Sequence, residues 1–198
     1  MTKEIVLATG NRHKVQEVSE ILAPLGIHVI SADEAGGMPD VVEDAGTFAG
    51  NAAKKALECA RHLNRTVLAD DSGLEVFALN GEPGVYSARY AGEGGNDGRN
   101  VVKLLGKLKG IEDRSARFVC VIALASPDGV IGTAEGEVRG RIAQQPAGNG
   151  GFGYDPVFIP DGFNQTFGEL PQETKNRLSH RANALKAALP LLTHDLTS

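Results

Sequence analysis

The chain has 198 residues, 41% of them hydrophobic, and a formal net charge of -5. That length suits one domain and that apolar content can fill a core, which excludes a disordered chain. The acidic balance gives no general attraction to nucleic acid or to an acidic membrane surface, so an anionic ligand would need local positive charge, a helix N-terminus or a metal ion.

In chain order, Glu4–Thr9 reads as a buried strand, broken by Gly10-Asn11-Arg12-His13. Lys14 to Ala23 follows as a helix with Val15, Val18 and Leu22 on one face. His28–Ser31 reads as a second strand, and the acidic, glycine-containing residues 33–46 as a loop. Thr47 to Leu63 is an alanine-rich helix with Phe48, Ala52, Ala56, Cys59 and Leu63 spaced for one face. Thr66–Ala69 is the third strand, with Asp70-Asp71-Ser72-Gly73 at its exit. The glycine-rich residues 80–98 predict an irregular connection, after which Asn96 or Asp97 caps a helix running to about Lys109. Phe118–Ala125 and Val130–Glu137 flank Pro127-Asp128-Gly129 as a hairpin. A glycine loop at 148–153, short apolar pieces at 156–168 and a last helix from about Ser179 to Leu192 complete the chain. Strands alternating with helices, then a hairpin, predict an α/β fold with a mixed sheet.

No apolar stretch approaches the ~18 residues of a membrane span. Met1-Thr2-Lys3-Glu4 leads straight into a strand, with no leader pattern. Cys59 and Cys120 lie far apart without metal-ligand spacing and read as small buried side chains. A cytoplasmic protein with no membrane partner is expected.

Four constellations can carry chemistry. Thr9-Gly10-Asn11-Arg12-His13-Lys14 joins a strand to a helix, where backbone N–H groups can bind phosphate and Lys14 adds charge; it lacks the GxxxxGK[ST] pattern of a P-loop. Glu43-Asp44 and Asp70-Asp71 are carboxylate pairs of the kind that hold a divalent cation; two adjacent aspartates repel each other and are poor strand formers. Gly148, Gly150 and Gly153 match GxGxxG, but Asp155-Pro156 follows and cannot open a dinucleotide-binding helix. A loop carrying Phe152 and Tyr154 suits a wall for base stacking instead. Lys175, His180 and Arg181 lie just before or at a helix start, against the macrodipole preference, and could donate to an oxo group or phosphate.

Together the segments ATGNRHK (8–14), TFAGNAAKKA (47–56), LADDSGLEV (68–76), PGVYSARYAG (83–92), GGFGYDPVF (150–158) and LSHRANAL (178–185) resemble the Ham1-like family of inosine/xanthosine triphosphate pyrophosphatases. The resemblance implies Mg2+-dependent cleavage of non-canonical purine nucleoside triphosphates (XTP, ITP, dITP) between the α and β phosphates. It implies an elongated α/β fold of two lobes around a central substrate cleft, and a homodimer. Carried over, it makes Thr9, Gly10, Asn11, Arg12, His13 and Lys14 phosphate-binding. Asp71 becomes general base and metal ligand, Glu43 the second metal carboxylate, and Ser72 a substrate contact. Phe152, Gly153, Tyr154, Asp155, Lys175, His180 and Arg181 form the base and sugar site. Two departures stand out: Gly50 replaces a glutamate frequent in the family, and the acidic loop before it is one residue shorter, which leaves Asp44 as the alternative to Glu43. Arg89 receives no role.

Overall fold

A computed structural model describes residues 3–195; the Met1-Thr2 start of the leader-free reading lies outside them. The chain forms β1 (Lys3–Leu7), α1 (Arg12–Leu22), β2 (Ile27–Ser31), α2 (Ala32–Ala35), α3 (Phe48–Leu63), β3 (Val67–Val76), α4 (Asp97–Lys107), β4 (Ser115–Ser126), β5 (Gly129–Ile142), β6 (Phe158–Pro160), α5 (Gln172–Leu178) and α6 (His180–Asp195). The strands form one six-stranded sheet in the order β2-β1-β3-β4-β5-β6. It is mixed: β1 runs parallel to β2 and to β3, whereas β5 and β6 are antiparallel. The α/β class and the mixed sheet are as the alternation of elements predicts.

Two compact units make up the described residues. The first takes the chain up to Asp71, Cys120–Gly136 and Arg181 onwards; the second takes Ser72–Val119 and Glu137–His180. In the first, Ile5, Leu7, Val29, Leu68 and Ile122 from the strands pack with Val18 and Leu22 of α1 and Leu185 and Leu192 of α6. In the second, Leu74, Phe118, Phe158 and Phe167 pack with Val101, Leu104 and Leu108. No helix among the described residues is long and apolar enough to cross a membrane.

The structure corrects four local expectations. The third strand does not stop at Ala69: β3 continues through both aspartates to Val76. It lies between β1 and β4, with Val6 opposite Val67 and Leu7 opposite Leu68. Ladder bonding in a central strand outweighs the weak strand propensity of aspartate. Residues 33–46 are not all loop, because Ser31 and Glu34 form a capping box that nucleates the short α2. The last helical stretch begins earlier than Ser179: α5 occupies Gln172–Leu178, and Ser179 separates it from α6. Helix α1 also starts two residues before Lys14, since Asn11 caps it by accepting from the His13 and Lys14 N–H groups.

Candidate active site

The strand–turn–helix corner is built around a cap. The Asn11 carboxamide accepts from His13 N at 2.9 Å and Lys14 N at 3.4 Å, and Asn11 N donates to the Thr9 hydroxyl at 3.1 Å. Thr9 is buried, while Gly10, Arg12 and His13 lie on or near the surface. A side-chain atom added at Gly10 would meet nothing within 4 Å, so the backbone there is open to a ligand. The corner thus combines an open glycine, a helix N-terminus and a lysine, as an anion site requires.

Lys14 folds inward from that corner. Its Nζ lies 3.1 Å from Asp70 Oδ2. The same oxygen accepts from Arg181 Nη2 at 3.0 Å and Nε at 3.2 Å, and Arg181 Nη1 pairs with Glu17. Asp70 and Arg181 are both at most 1% exposed. Burial alone would raise the Asp70 carboxyl, but the Lys14, Arg181 and Lys55 charges outweigh it and hold it well below the usual carboxylate range. For Arg181, burial opposes the charge and Asp70 and Glu17 restore it, so the guanidinium stays protonated. Asp70 is therefore the hub of a buried ion network within a strand.

Asp71 points the other way, because successive strand side chains alternate faces. Leu68 and Asp70 share the face packed by α1 and α6, and Asp71 meets α3. Asn51 Nδ2 donates to Asp71 Oδ2 at 3.1 Å. Lys55 pairs with Glu43, donates to the Asp70 carbonyl at 3.1 Å, and keeps its charge through Asp70, Glu43 and Asp71 despite burial. Burial raises the Asp71 carboxyl above its usual range, and the Glu43 charge adds to this against the opposing pull of Lys55 and Asn51. Asp44 instead pairs with Lys54 on the surface at 2.7 Å. Gly50 helps to set this arrangement: a Cβ there would lie 2.6 Å from that of Ala45, whose N donates to Asn51 Oδ1 at 3.0 Å. The bare glycine lets the acidic loop close onto α3.

These residues fit a magnesium ion. Glu43 and Asp71 are hard oxygen donors; burial raises Asp71, the Glu43 charge adds to it, and a cation would relieve both. Among the described residues no group of three His, Cys, Asp or Glu has a metal-holding arrangement. Magnesium takes one or two protein carboxylates and completes its shell with water and phosphate oxygens, so it needs no such group.

The second unit gathers most of the remaining candidates. Lys175 Nζ lies 2.6 Å from Asp155 Oδ2 and 4.8 Å from the centre of the Phe152 ring. Asp155 also accepts from Phe152 N at 2.9 Å. The glycine loop is shaped for this: Gly148 has φ +81°, and a Cβ on Gly151 would lie 2.0 Å from Asp155 Oδ2. No helix follows the GxGxxG match; the 3-10 turn Asp155–Val157 does. Tyr154 is buried, and its hydroxyl donates to the Ser87 carbonyl at 2.8 Å, so it belongs to the core while Phe152 stays partly exposed. His180 stacks on Phe118 with ring centres 4.7 Å apart. Ser72 follows Asp71 directly on β3 and is half-buried.

Three residues of the first unit escaped sequence reasoning: Asn51, Lys55 and Glu17. Asn51 and Lys55 are four apart on the buried side of α3, beside Ala52 and Ala56. Polar residues at helical spacing within an apolar stripe were the available signal. Glu17 lies three residues after Lys14 on α1 and is buried beside Val18.

Known proteins resemble this chain over nearly all of its length. The model of the Ham1 family matches residues 5–191. A protein of Desulforamulus reducens named dITP/XTP pyrophosphatase is 53% identical over 96% of this chain and 95% of its own. One of Bacillus subtilis with the same name is 48% identical over 96% and 97%. Among solved structures, the Ham1 protein of Staphylococcus aureus aligns with a TM-score of 0.85 at 46% identity, covering 98% of this chain and all of that one. A nucleoside-triphosphatase / dITP/XTP pyrophosphatase from Mycobacterium abscessus aligns at 0.75 and 42% identity, covering 96% and 99%. The chain belongs to the Ham1 family.

Proposed function

We propose that this protein is a hydrolase that cuts non-canonical purine nucleoside triphosphates, dITP, XTP and ITP, into the nucleoside monophosphate and pyrophosphate, and so cleanses the nucleotide pool. The observation that carries the reading is Asp71: a buried carboxylate with raised proton affinity, held by Asn51 and flanked by Lys55 and Glu43. A carboxyl tuned upward is better matched to general-base work near neutral pH. The names of the relatives from Desulforamulus reducens and Bacillus subtilis support the substrate class.

In this reading the N–H groups of residues 9–14 and the Lys14 ammonium bind the phosphates. Asp71 takes a proton from water as the water oxygen bonds to the α-phosphorus. The bond from that phosphorus to the oxygen bridging the β-phosphorus breaks, and pyrophosphate leaves. Magnesium, held by Asp71 and Glu43, would supply charge neutralisation for the phosphates when bound. Ser72 touches the substrate, Phe152 offers a face to the base, and Gly153, Tyr154, Asp155 and Lys175 fix that wall. A donor from His180 or Arg181 meets the C6 oxo group of hypoxanthine or xanthine. Adenine presents an amino group there and would strand the donor, at a cost of ~1–3 kcal/mol, up to about a hundredfold.

The family resemblance supports a homodimer. Cys59 and Cys120 are buried and unbridged, in keeping with a reducing cytoplasm.

The reading is tested by turnover of dITP, XTP, ITP, GTP and ATP with magnesium, with separate assays for pyrophosphate and orthophosphate. Pyrophosphate from the first three is expected. Orthophosphate from ATP as the main product would make the protein a terminal phosphatase. Tight binding of all five without turnover would make it a nucleotide-binding regulator.

A further inference from the structure

The first turn of α4 has no place in the reaction described so far, yet it reaches the glycine loop. Asp97 Oδ2 accepts from the Gly153 N–H at 2.7 Å. One turn further along the same helix, Asn100 is buried and holds the 3-10 helix Gly84–Arg89 and its exit. Its Nδ2 donates to the Ser87 and Ala88 carbonyls at 3.3 and 3.1 Å, and its Oδ1 accepts from Ala91 N at 2.7 Å. The Ser87 carbonyl that Asn100 reaches also accepts the Tyr154 hydroxyl at 2.8 Å. Residues 153 and 154 are therefore tied to one helix end by two routes, one direct through Asp97 and one through Ser87 and Asn100.

This matters because of which residues the ties bracket. Phe152 precedes Gly153, and Asp155, which holds Lys175 and the Phe152 N–H, follows Tyr154. Gly153 has φ +62°, a conformation it adopts freely, and no Cβ contact would restrain it. The loop's own sequence leaves this point loose, and the hydrogen bond that Gly153 N–H donates to Asp97 supplies the restraint.

We propose that Asp97 is a specificity-determining positioning residue: it fixes the Phe152–Asp155 loop in the orientation that receives the substrate base. The inference rests on the reading of that loop as the base wall. It predicts an effect on recognition of the base and none on recognition of the phosphates, since Asp97 ties Gly153 in the base wall and the phosphates are assigned to residues 9–14.

The test compares wild type with Asp97→Ala and Asp97→Asn, using dITP as substrate and inorganic triphosphate as a competitive inhibitor without a base. Loss of one charge-assisted hydrogen bond predicts a KM for dITP about tenfold higher in Asp97→Ala, with kcat within about twofold. The inhibition constant of inorganic triphosphate should not change, and Asp97→Asn, which keeps an acceptor oxygen, should recover most of the loss. Hydrogen exchange at the Gly153 amide, read without substrate, should accelerate in Asp97→Ala and return towards wild type in Asp97→Asn. An unchanged KM, or equal weakening of dITP and inorganic triphosphate, would overturn the proposal. Unchanged Gly153 exchange would overturn the tether itself, whatever the substrate. Wild type that turns over no dITP, with Gly153 exchange still responding to Asp97, would locate the failure in the assigned function and take the specificity role with it.

Discussion

Asp71→Asn is expected to lower kcat by a factor on the order of 10³ while nucleotide still binds. The asparagine carbonyl can still accept the Asn51 hydrogen bond, so the local geometry has a means of surviving. What is lost is the proton acceptor and one of the two carboxylates assigned to the metal. Folding should not suffer. The raised proton affinity of Asp71 means that the folded protein opposes its charge, so removing that charge should leave Tm unchanged or higher. The pH profile adds a signature. Burial with Glu43 lifts Asp71 in the metal-free protein, so one carboxyl should titrate above the ordinary carboxylate range by NMR without magnesium, and that titration should vanish in the variant. Single-turnover rates, calorimetric binding of a non-hydrolysable analogue and thermal unfolding check these points. Near-normal rates would remove Asp71 from the role.

Asp70→Ala should do the opposite and strike the fold. Its Oδ2 serves Lys14 and both Nε and Nη2 of Arg181, all in or beside the buried core. Alanine would leave Arg181 without its pairing to Asp70 and Lys14 without its close carboxylate. Breaking a buried pair by removing one partner costs about 3–5 kcal/mol, a large share of a typical stability of about 5–15 kcal/mol. For a chain of this size that corresponds to a fall in Tm of about 6–20 °C. The pH dependence follows from the depressed carboxyl. As pH falls through the ordinary carboxylate range, the unfolded chain takes up the proton that folded Asp70 refuses, so this contribution is present at neutral pH and lost in acid. Asp70→Ala should therefore flatten the acid limb of the stability profile. Chemical denaturation from pH 7 down to 3 measures it; a Tm within about 1 °C of wild type would mean that the network adds nothing.

The contrast between these aspartates shows what can be read from sequence and what cannot. Adjacent carboxylates after an apolar run signalled a special site, and their unequal roles follow from strand alternation once the strand is known to continue. Its continuation was hidden, because aspartate argues locally against a strand and only the flanking ladders overrule it. Helices α1, α3 and α4 were legible because their apolar residues recur at helical spacing, and α4 also because Asn96 can cap it. Helix α5 was not: it is mostly polar and turns a single lysine, Lys175, inward. Ionic partners were the least visible of all. Asp70 and Arg181 are 111 residues apart, and nothing in either neighbourhood names the other. Glu17 and Lys55 read as ordinary surface charges until the fold buries them.

The central claim is a cut at one bond, made by water at one phosphorus, and isotope placement tests it most directly. Hydrolysis of dITP with magnesium in ¹⁸O-enriched water, followed by mass spectrometry of both products, shows which phosphorus the water attacked. Attack at the α-phosphorus places one ¹⁸O in the nucleoside monophosphate and none in the pyrophosphate. Label in the pyrophosphate, or in released orthophosphate, would contradict the account.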